Sequence, residues 1–285
     1  MRKIVIILKF IIKIISQNSF LNKAVRIAFH KFYKNKGNFF YYENNKLSFL
    51  VHRNETISNS IFLDGEFEFS KFAKSLKLIK KRRRTLVDIG ANIGSITIPS
   101  LKNNFFENAL VFEPNPESLR LLKSNILINN LENKVNIKEL ALSDKKTFKT
   151  LHADLKLNRG NNKLISQKKR GKNFFHVKTD ILDNYTKSFD KNNCFIKIDV
   201  QGEESRILIS SKNTLSKKIP IVLEFEPSNL NKNWKVYFKY VLKYYKNFYD
   251  LKELKPMKKN LSSETLEKVY QIYFKKNSFT DLLFI

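Results

Sequence analysis

The pattern of apolar and polar positions changes along the chain. Residues 4–15 hold apolar runs, Ile4–Leu8, Phe10–Ile12 and Ile14–Ile15, broken by Lys9 and Lys13. No stretch of about 18 uncharged apolar residues occurs, which disfavours a spanning helix. The short runs and the lack of a small-x-small site after them disfavour a signal peptide. On a helix Arg2, Lys9 and Lys13 share one stripe. Two readings follow: an in-plane helix on an anionic membrane, or a helix packed on its own domain or on a partner. From Gly37 to Arg53, aromatic and alternating residues around Glu43–Lys46 predict a hairpin. Asp64-Gly65 marks a turn, and Phe67, Phe72, Leu76 and Ile79 form a helical stripe.

From Thr85 onward, short apolar runs alternate with helical patterns. Strands are predicted at Leu86-Val87, Ala109–Phe112, Val135–Leu140, Phe195–Ile198, Ile221–Phe225 and Asp281–Ile285. Helices are predicted at Glu117–Asn130, Glu203–Leu208 and Trp234–Tyr245, and Asn158–Lys172, polar and basic, reads as an exposed loop or a helix-capping excursion. Such alternation implies an α/β protein whose mostly parallel sheet is covered on both faces. The expected organisation is a basic extension over 1–63, with helix and hairpin, followed by one α/β domain over 64–285.

Composition narrows the choices. At 285 residues and 42% hydrophobic the chain can bury a sizeable core and is no disordered polyelectrolyte. One cysteine, Cys194, excludes an internal disulfide framework and fits a reducing compartment. Four scattered histidines suggest no metal cluster, so no metal is expected. Lys and Arg outnumber acids 54 to 26, a net charge of +28 that favours nucleic acid, anionic lipid or acidic glycan. The excess is mostly lysine and equally fits a biased coding sequence. The run Lys80–Arg84 reads either as a phosphate contact or as a solvated helix end.

Chemistry concentrates in two segments. In Leu86-Val87-Asp88-Ile89-Gly90-Ala91-Asn92-Ile93-Gly94-Ser95 a strand ends in an acid, a glycine-bearing turn follows, and a helix starts near Ile93. Ligands of doubly wound sheets bind where such a turn sits. The G-x-x-x-G spacing is not the dinucleotide fingerprint, and Asp88 would repel a pyrophosphate. A ligand with an ammonium group and no phosphate suits it, as in S-adenosylmethionine. Val111-Phe112-Glu113-Pro114 places a second strand-end acid 25 residues after Asp88. An acid at roughly that distance commonly accepts hydrogen bonds from ribose hydroxyls.

With Val-Asp-Ile-Gly-Ala-Asn-Ile-Gly at 87–94, Phe-Glu-Pro-Asn-Pro at 112–116, Ala141-Leu142-Ser143-Asp144, and Ile-Lys-Ile-Asp-Val-Gln-Gly-Glu-Glu at 196–204, the chain resembles the FkbM family of S-adenosylmethionine-dependent methyltransferases over roughly 64–285. The resemblance implies a class I methyltransferase fold, Rossmann-like and doubly wound, with seven strands and a reversed last one. It also implies O-methylation of a hydroxyl on a sugar or secondary metabolite. By match to the family pattern, Asp88, Gly90, Ala91, Asn92 and Gly94 would hold the methionine part of the cofactor. Glu113 would hold the ribose, and Ser143 would lie near the adenine. Gln201 departs from the family's usual Glu.

Read on its own, the 194–204 segment puts Phe195, Lys197 and Asp199 on one strand face. A central lysine needs an acid partner, because an unpaired buried ammonium is costly, and Asp199 lies two residues on. Glu224 and Glu226 would stand on the neighbouring strand. Methyl transfer to oxygen requires alignment and a proton acceptor. Asp199 is the first candidate for that acceptor or for orienting the substrate, with Glu224 second and Lys197 as partner. The competing reading is a structural lysine–carboxylate network. His152 and His176 lack nearby acids and read as surface or satisfied core residues. Two rival functions remain, a nucleic-acid methyltransferase and a non-catalytic module on the same fold. Against the first, no Asn/Asp-Pro-Pro-aromatic tetrapeptide for holding a flipped base is present. The expected partner is a hydroxyl-bearing small molecule or glycan. The expected location is cytoplasmic, with peripheral contact at the inner membrane face if residues 1–36 lie in the bilayer plane.

Overall fold

Strand period two builds the core. In β3 (Thr85–Ile89), Leu86 joins a buried cluster with Val111, Leu122 and Phe195, while Val87 and Ile89 join another with Ile196, Ile198 and Phe225. Both faces of the strand are therefore apolar, and each needs a covering layer. Burying one such side chain stabilises the chain by roughly 1.5–3 kcal/mol. The computed structural model describes residues 39–43, 46–52, 56–79, 81–153, 162–165, 169–230 and 234–285. The predicted N-terminal helix lies outside the described residues.

A hairpin, β1 (Phe39–Glu43) and β2 (Ser48–His52), comes first, then helices α1 (Thr56–Asp64) and α2 (Phe69–Leu78). β3 leads to α3 (Thr97–Lys102), β4 (Asn108–Phe112), α4 (Pro116–Ile128) and β5 (Val135–Lys138). Four strands follow: β6 (Ala141–Leu142), β7 (Thr147–Ala153), β8 (Asn162–Ile165) and β9 (Phe174–Asp180). The chain then runs through β10 (Cys194–Ile198), α5 (Glu204–Ser210), α6 (Lys212–Ser216) and β11 (Ile221–Phe225). It ends with α7 (Trp234–Tyr237), α8 (Lys239–Tyr244), β12 (Asn247–Asp250), β13 (Lys259–Asn260), α9 (Ser263–Lys275) and β14 (Thr280–Phe284).

The main sheet has the order β13-β12-β14-β11-β10-β3-β4-β5. β3, β4, β5, β10 and β11 are mutually parallel, and β14 is reversed against β11. This is the doubly wound sheet with a reversed last strand that the resemblance implies. Eight strands are present among the described residues rather than seven, the extra one being the two-residue edge strand β13. β6, β9, β7 and β8 form a second sheet. Part of the segment expected to be a loop, residues 162–165, is strand β8, paired to β7 from Thr150↔Ile165 to Ala153↔Asn162. The Tyr-rich helical pattern from Trp234 is split into α7 and α8 at Phe238, which is fully buried.

The described residues between 39 and 64 are packed into this domain. Phe49, Val51, Ile57 and Ile61 sit in the same buried cluster as Leu86 and Val111. Two asparagines four residues apart, Asn125 on α4 and Asn129 capping its C-terminal end, pair with β2 as a neighbouring strand would. Asn125 accepts from the Leu50 amide at 2.7 Å and donates to the Leu50 carbonyl at 3.1 Å, and Asn129 does the same at Ser48. Asn125 also donates to the Ile93 carbonyl at 3.0 Å, tying the hairpin to the glycine turn. Asn125→Ala leaves these backbone groups without partners, each worth about 1–3 kcal/mol when buried. The chemical-denaturation midpoint should fall by an amount equivalent to about 2–4 kcal/mol, with unfolding still a single transition. A change below about 0.5 kcal/mol would show that water replaces the clamp.

Candidate active site

The turn after β3 is shaped by a close approach of two backbones. Gly90 has φ +85°, and a Cβ there would fall 1.8 Å from the Asp199 carbonyl oxygen. The Gly90 and Ala91 amides both donate to the Phe112 carbonyl at 3.0 Å, so the tips of β3, β4 and β10 are drawn together. Asn92 takes the left-handed conformation, φ 51°, which asparagine tolerates better than most residues. The helix expected near Ile93 begins four residues later, at Thr97. The turn opens on a cleft of about 390 Å³, within the range of small-ligand sites.

The predicted residues divide into wall and support. Gly90, Asn92, Glu113, Lys197, Asp199 and Glu224 line the cleft. Ala91, Gly94, Asp88 and Ser143 are not among its lining residues. Asp88 is fully buried beneath the turn, not on the wall as the cofactor-contact reading requires. Its Oδ2 accepts from Thr97 Oγ1 at 2.6 Å, and its Oδ1 stands 3.7 Å from Lys197 Nζ. Burial raises its pKa against the pull of Lys197 and Thr97. Ser143 is also fully buried, donating to Glu203 and accepting from Lys149 at 2.7 Å. Its neighbours Ala141 and Leu142 reach the cleft instead. Neither His152 nor His176 lines the cleft; His152 packs on Phe174.

Glu113 fits the role of hydroxyl acceptor. It is 3% exposed, its Oε2 accepts from the Asn92 amide and its Oε1 from the Asn115 amide, both at 2.8 Å. Burial outweighs these bonds and pushes its carboxyl up to about 7. Leu140, Ala141, Leu142 and Phe112 provide apolar wall beside it.

The opposite wall is a carboxylate cluster around one ammonium. Lys197 Nζ lies 3.1 Å from Asp199 Oδ2. Burial opposes the charge on Lys197, yet Asp199, Asp88 and Glu68 outweigh it and raise its pKa. Burial likewise opposes the charge on Asp199, but Lys197 and then the Gln201 amide hold its carboxyl below the usual range. Glu224 is pushed up to about 11 by burial and by Asp199, so its carboxyl keeps its proton and donates to Asp199. Gln201, where the family usually has Glu, donates from Nε2 to Asp199 at 3.1 Å and to Glu224 at 2.9 Å. An amide thus bridges two carboxyl groups at a position where a further carboxylate would repel Asp199.

Three residues escaped the sequence reading. Glu68 lines the cleft from the start of α2, with φ 60° and a carboxyl raised to about 7 by burial and then Asp199. No periodicity marks it. Glu204 accepts from the Val200 and Gly202 amides at 3.0 and 2.9 Å, bracing the turn that carries Gln201. Its place in the Gly-Glu-Glu motif was the available signal. Glu203 lines the cleft while pairing Lys149 at 2.9 Å.

Among the described residues, the cleft wall holds six carboxyl side chains and one ammonium, Lys197. Such a lining suits a cationic, phosphate-free ligand. Residues 88–272 match the model of the methyltransferase FkbM domain. The chain belongs to the FkbM methyltransferase family. The family's methyl donor, S-adenosylmethionine, fits what the cleft offers: a buried carboxylate at Glu113 for hydroxyls, apolar wall for a flat base, and acidic groups for a positively charged tail. Among solved structures, the chain is similar to methyltransferase FkbM from Methylobacillus flagellatus KT, with 14% identity over 80% of this chain and a TM-score of 0.46. This chain spans 52% of that protein's length. It is also similar to TYW2 of M. jannaschii, solved in complex with AdoMet, with 14% identity over 88% of this chain and 86% of that one, and a TM-score of 0.43. A third similar structure is the tRNA (M1A22) methyltransferase TrmK of B. subtilis, with 10% identity over 75% and 64% of the two chains and a TM-score of 0.39. No curated protein matches the chain.

Two outcomes test this geometry. Gly90→Ala forces the β3 turn away from Asp199, so calorimetric S-adenosylmethionine binding should be lost and stability should drop by about 2 kcal/mol or more. Retained binding would mean the turn does not touch the cofactor. The second concerns pH. Glu113, Glu204 and Glu68, each raised to about 7 from 4.5, keep their protons in the folded chain across a window where the unfolded chain releases them. Their contribution to stability is therefore present below about pH 4.5 and is lost as pH rises through about 7. In Glu113→Gln the dependence of unfolding free energy on pH across that window should be shallower than in the parent, and an unchanged slope would refute the burial argument.

Proposed function

We propose that the chain transfers a methyl group from S-adenosylmethionine to a hydroxyl oxygen of a sugar, glycan or secondary metabolite. The observation that carries this reading is Asp199 on the cleft wall, with Lys197 Nζ and Gln201 Nε2 each donating to it at 3.1 Å and Gln201 linking it to Glu224. The bound cofactor supplies an electrophilic methyl on a positively charged sulfur. Asp199 accepts the hydrogen bond of the acceptor hydroxyl, fixes the oxygen for in-line attack, and takes its proton as the new bond forms. Lys197 and Gln201 stabilise the Asp199 carboxylate before transfer. Protonated Glu224 cannot serve as base near neutral pH and acts as a donor to Asp199. Glu113 holds the ribose hydroxyls at the other end of the cleft, and the buried Asp88 supports Lys197 from below.

A nucleic-acid acceptor is the rival reading. The six carboxyl groups of the cleft disfavour a phosphodiester backbone there. The basic residues Arg82–Arg84 lie at the start of β3, the opposite sheet edge from the cleft. Arg84 pairs with Glu107 at 2.8 Å.

Radiolabelled methyl transfer to a panel of hydroxylated sugars and metabolites tests the proposal. Asp199→Asn should lower kcat by about a hundredfold or more, the usual range for loss of a general base, while cofactor affinity changes little. Label appearing on RNA bases, or full activity in Asp199→Asn, would overturn the reading.

A further inference from the structure

The cleft edge of the sheet carries a feature that methyl transfer does not use. β12 is antiparallel to β14, which is antiparallel to β11, so the chain leaves β12 on the same edge as the tips of β3, β10 and β11. The loop that follows, residues 251–258, reads Leu-Lys-Glu-Leu-Lys-Pro-Met-Lys. Leu254 is 96% exposed and Met257 68%. A single exposed apolar residue needs no explanation. Here two stand on one short loop among Lys252, Lys255 and Lys258, while Glu253 is engaged by Lys259 at 2.6 Å.

The base of the loop is firmly held. The Leu251 amide donates to the Asp281 carbonyl at 2.9 Å. The Asp250 carboxylate accepts from Tyr273, Thr280 and the Lys252 amide. The Lys252 ammonium donates to the Phe279 carbonyl at 2.9 Å and lies over the Tyr273 and Phe279 rings. The loop therefore abuts the C-terminal end of α9 and the turn after it, which add exposed Lys275, Lys276 and Phe279. Phe279 also lines the cleft, so this basic and apolar face continues into the cleft mouth.

We infer that this face docks the protein on an anionic lipid bilayer. Leu254 and Met257 enter the boundary between headgroups and acyl chains, and the surrounding lysines meet lipid phosphates. Charge complementarity alone would also admit a nucleic acid. A polyanion would engage only the lysines and leave both apolar tips in water, whereas a bilayer takes both. Each lysine held near an anionic surface strengthens binding about fivefold. Docking in this way brings the cleft mouth to the lipid surface, and it stands independently of which atom is methylated.

Co-sedimentation of the full chain with vesicles of phosphatidylcholine, with or without phosphatidylglycerol, tests the inference. Binding should require phosphatidylglycerol and weaken with salt. Leu254→Ser/Met257→Ser and Lys255→Glu/Lys258→Glu should each reduce it by about tenfold or more. Both pairs are surface positions, so circular dichroism and unfolding midpoints should match the parent. Indifference of the full chain to anionic vesicles would overturn the inference. So would parental binding by both variants, which would assign attachment to residues outside this loop, or a loss seen only with the lysine changes. RNA binding that leaves vesicles untouched and ignores Leu254 and Met257 would overturn it in favour of a nucleic acid.

Discussion

The site depends on one buried ammonium. Lys197 stands in the middle of the central parallel sheet, where an unpaired cation would cost several kcal/mol. Its charge is tolerated because β3 brings Asp88 beneath it and β10 brings Asp199 beside it. This compensation sets the protonation pattern of the whole wall. With Lys197 satisfying Asp199, the next carboxyl, Glu224, can only remain as the neutral acid. A donor, an acceptor and a cation are thereby sorted among groups that would otherwise repel one another. Removing either acid would leave the ammonium buried with half its compensation.

Much of this was legible in the sequence because it rests on short-range rules. Strand-helix alternation located six strands of the main sheet but neither β12 nor β13, and period two placed Lys197 and Asp199 on one face. The carboxyl-end rule for parallel sheets then brought Gly90, Glu113 and Asp199 to one cleft. What could not be read depended on depth rather than order. Asp88 and Glu113 look equivalent as acids ending successive strands, yet one lies beneath the turn and the other on the wall. Glu68 reaches the cleft from outside the alternating region, through a left-handed residue at a helix start. The strands β7 to β9 carry mixed polar patterns, so nothing in their sequence announced a second sheet.

Net charge proved a poor guide to the site. A chain of +28 has a cleft whose charged lining, among the described residues, is mainly acidic, six carboxyl side chains against one ammonium. Among the described residues most lysines other than Lys197 lie on the outside, where solvent screens them, while the cleft acids act at short range in a poorly solvated space. Global charge thus speaks to what the exterior meets, and local composition to what the interior holds.

The asparagine clamp has a bearing on where this protein can be cut. Asn125 and Asn129 complete their bonding with β2, and Phe49 and Val51 seal the layer above Leu122. Family resemblance begins later in the chain, but a folding unit that keeps this clamp includes the hairpin from Phe39 onward. A fragment trimmed to the recognisable motifs would bare a greasy flank and two amides with nothing to hold. The glycine turn, moored to Asn125 through Ile93, would lose its anchorage along with them.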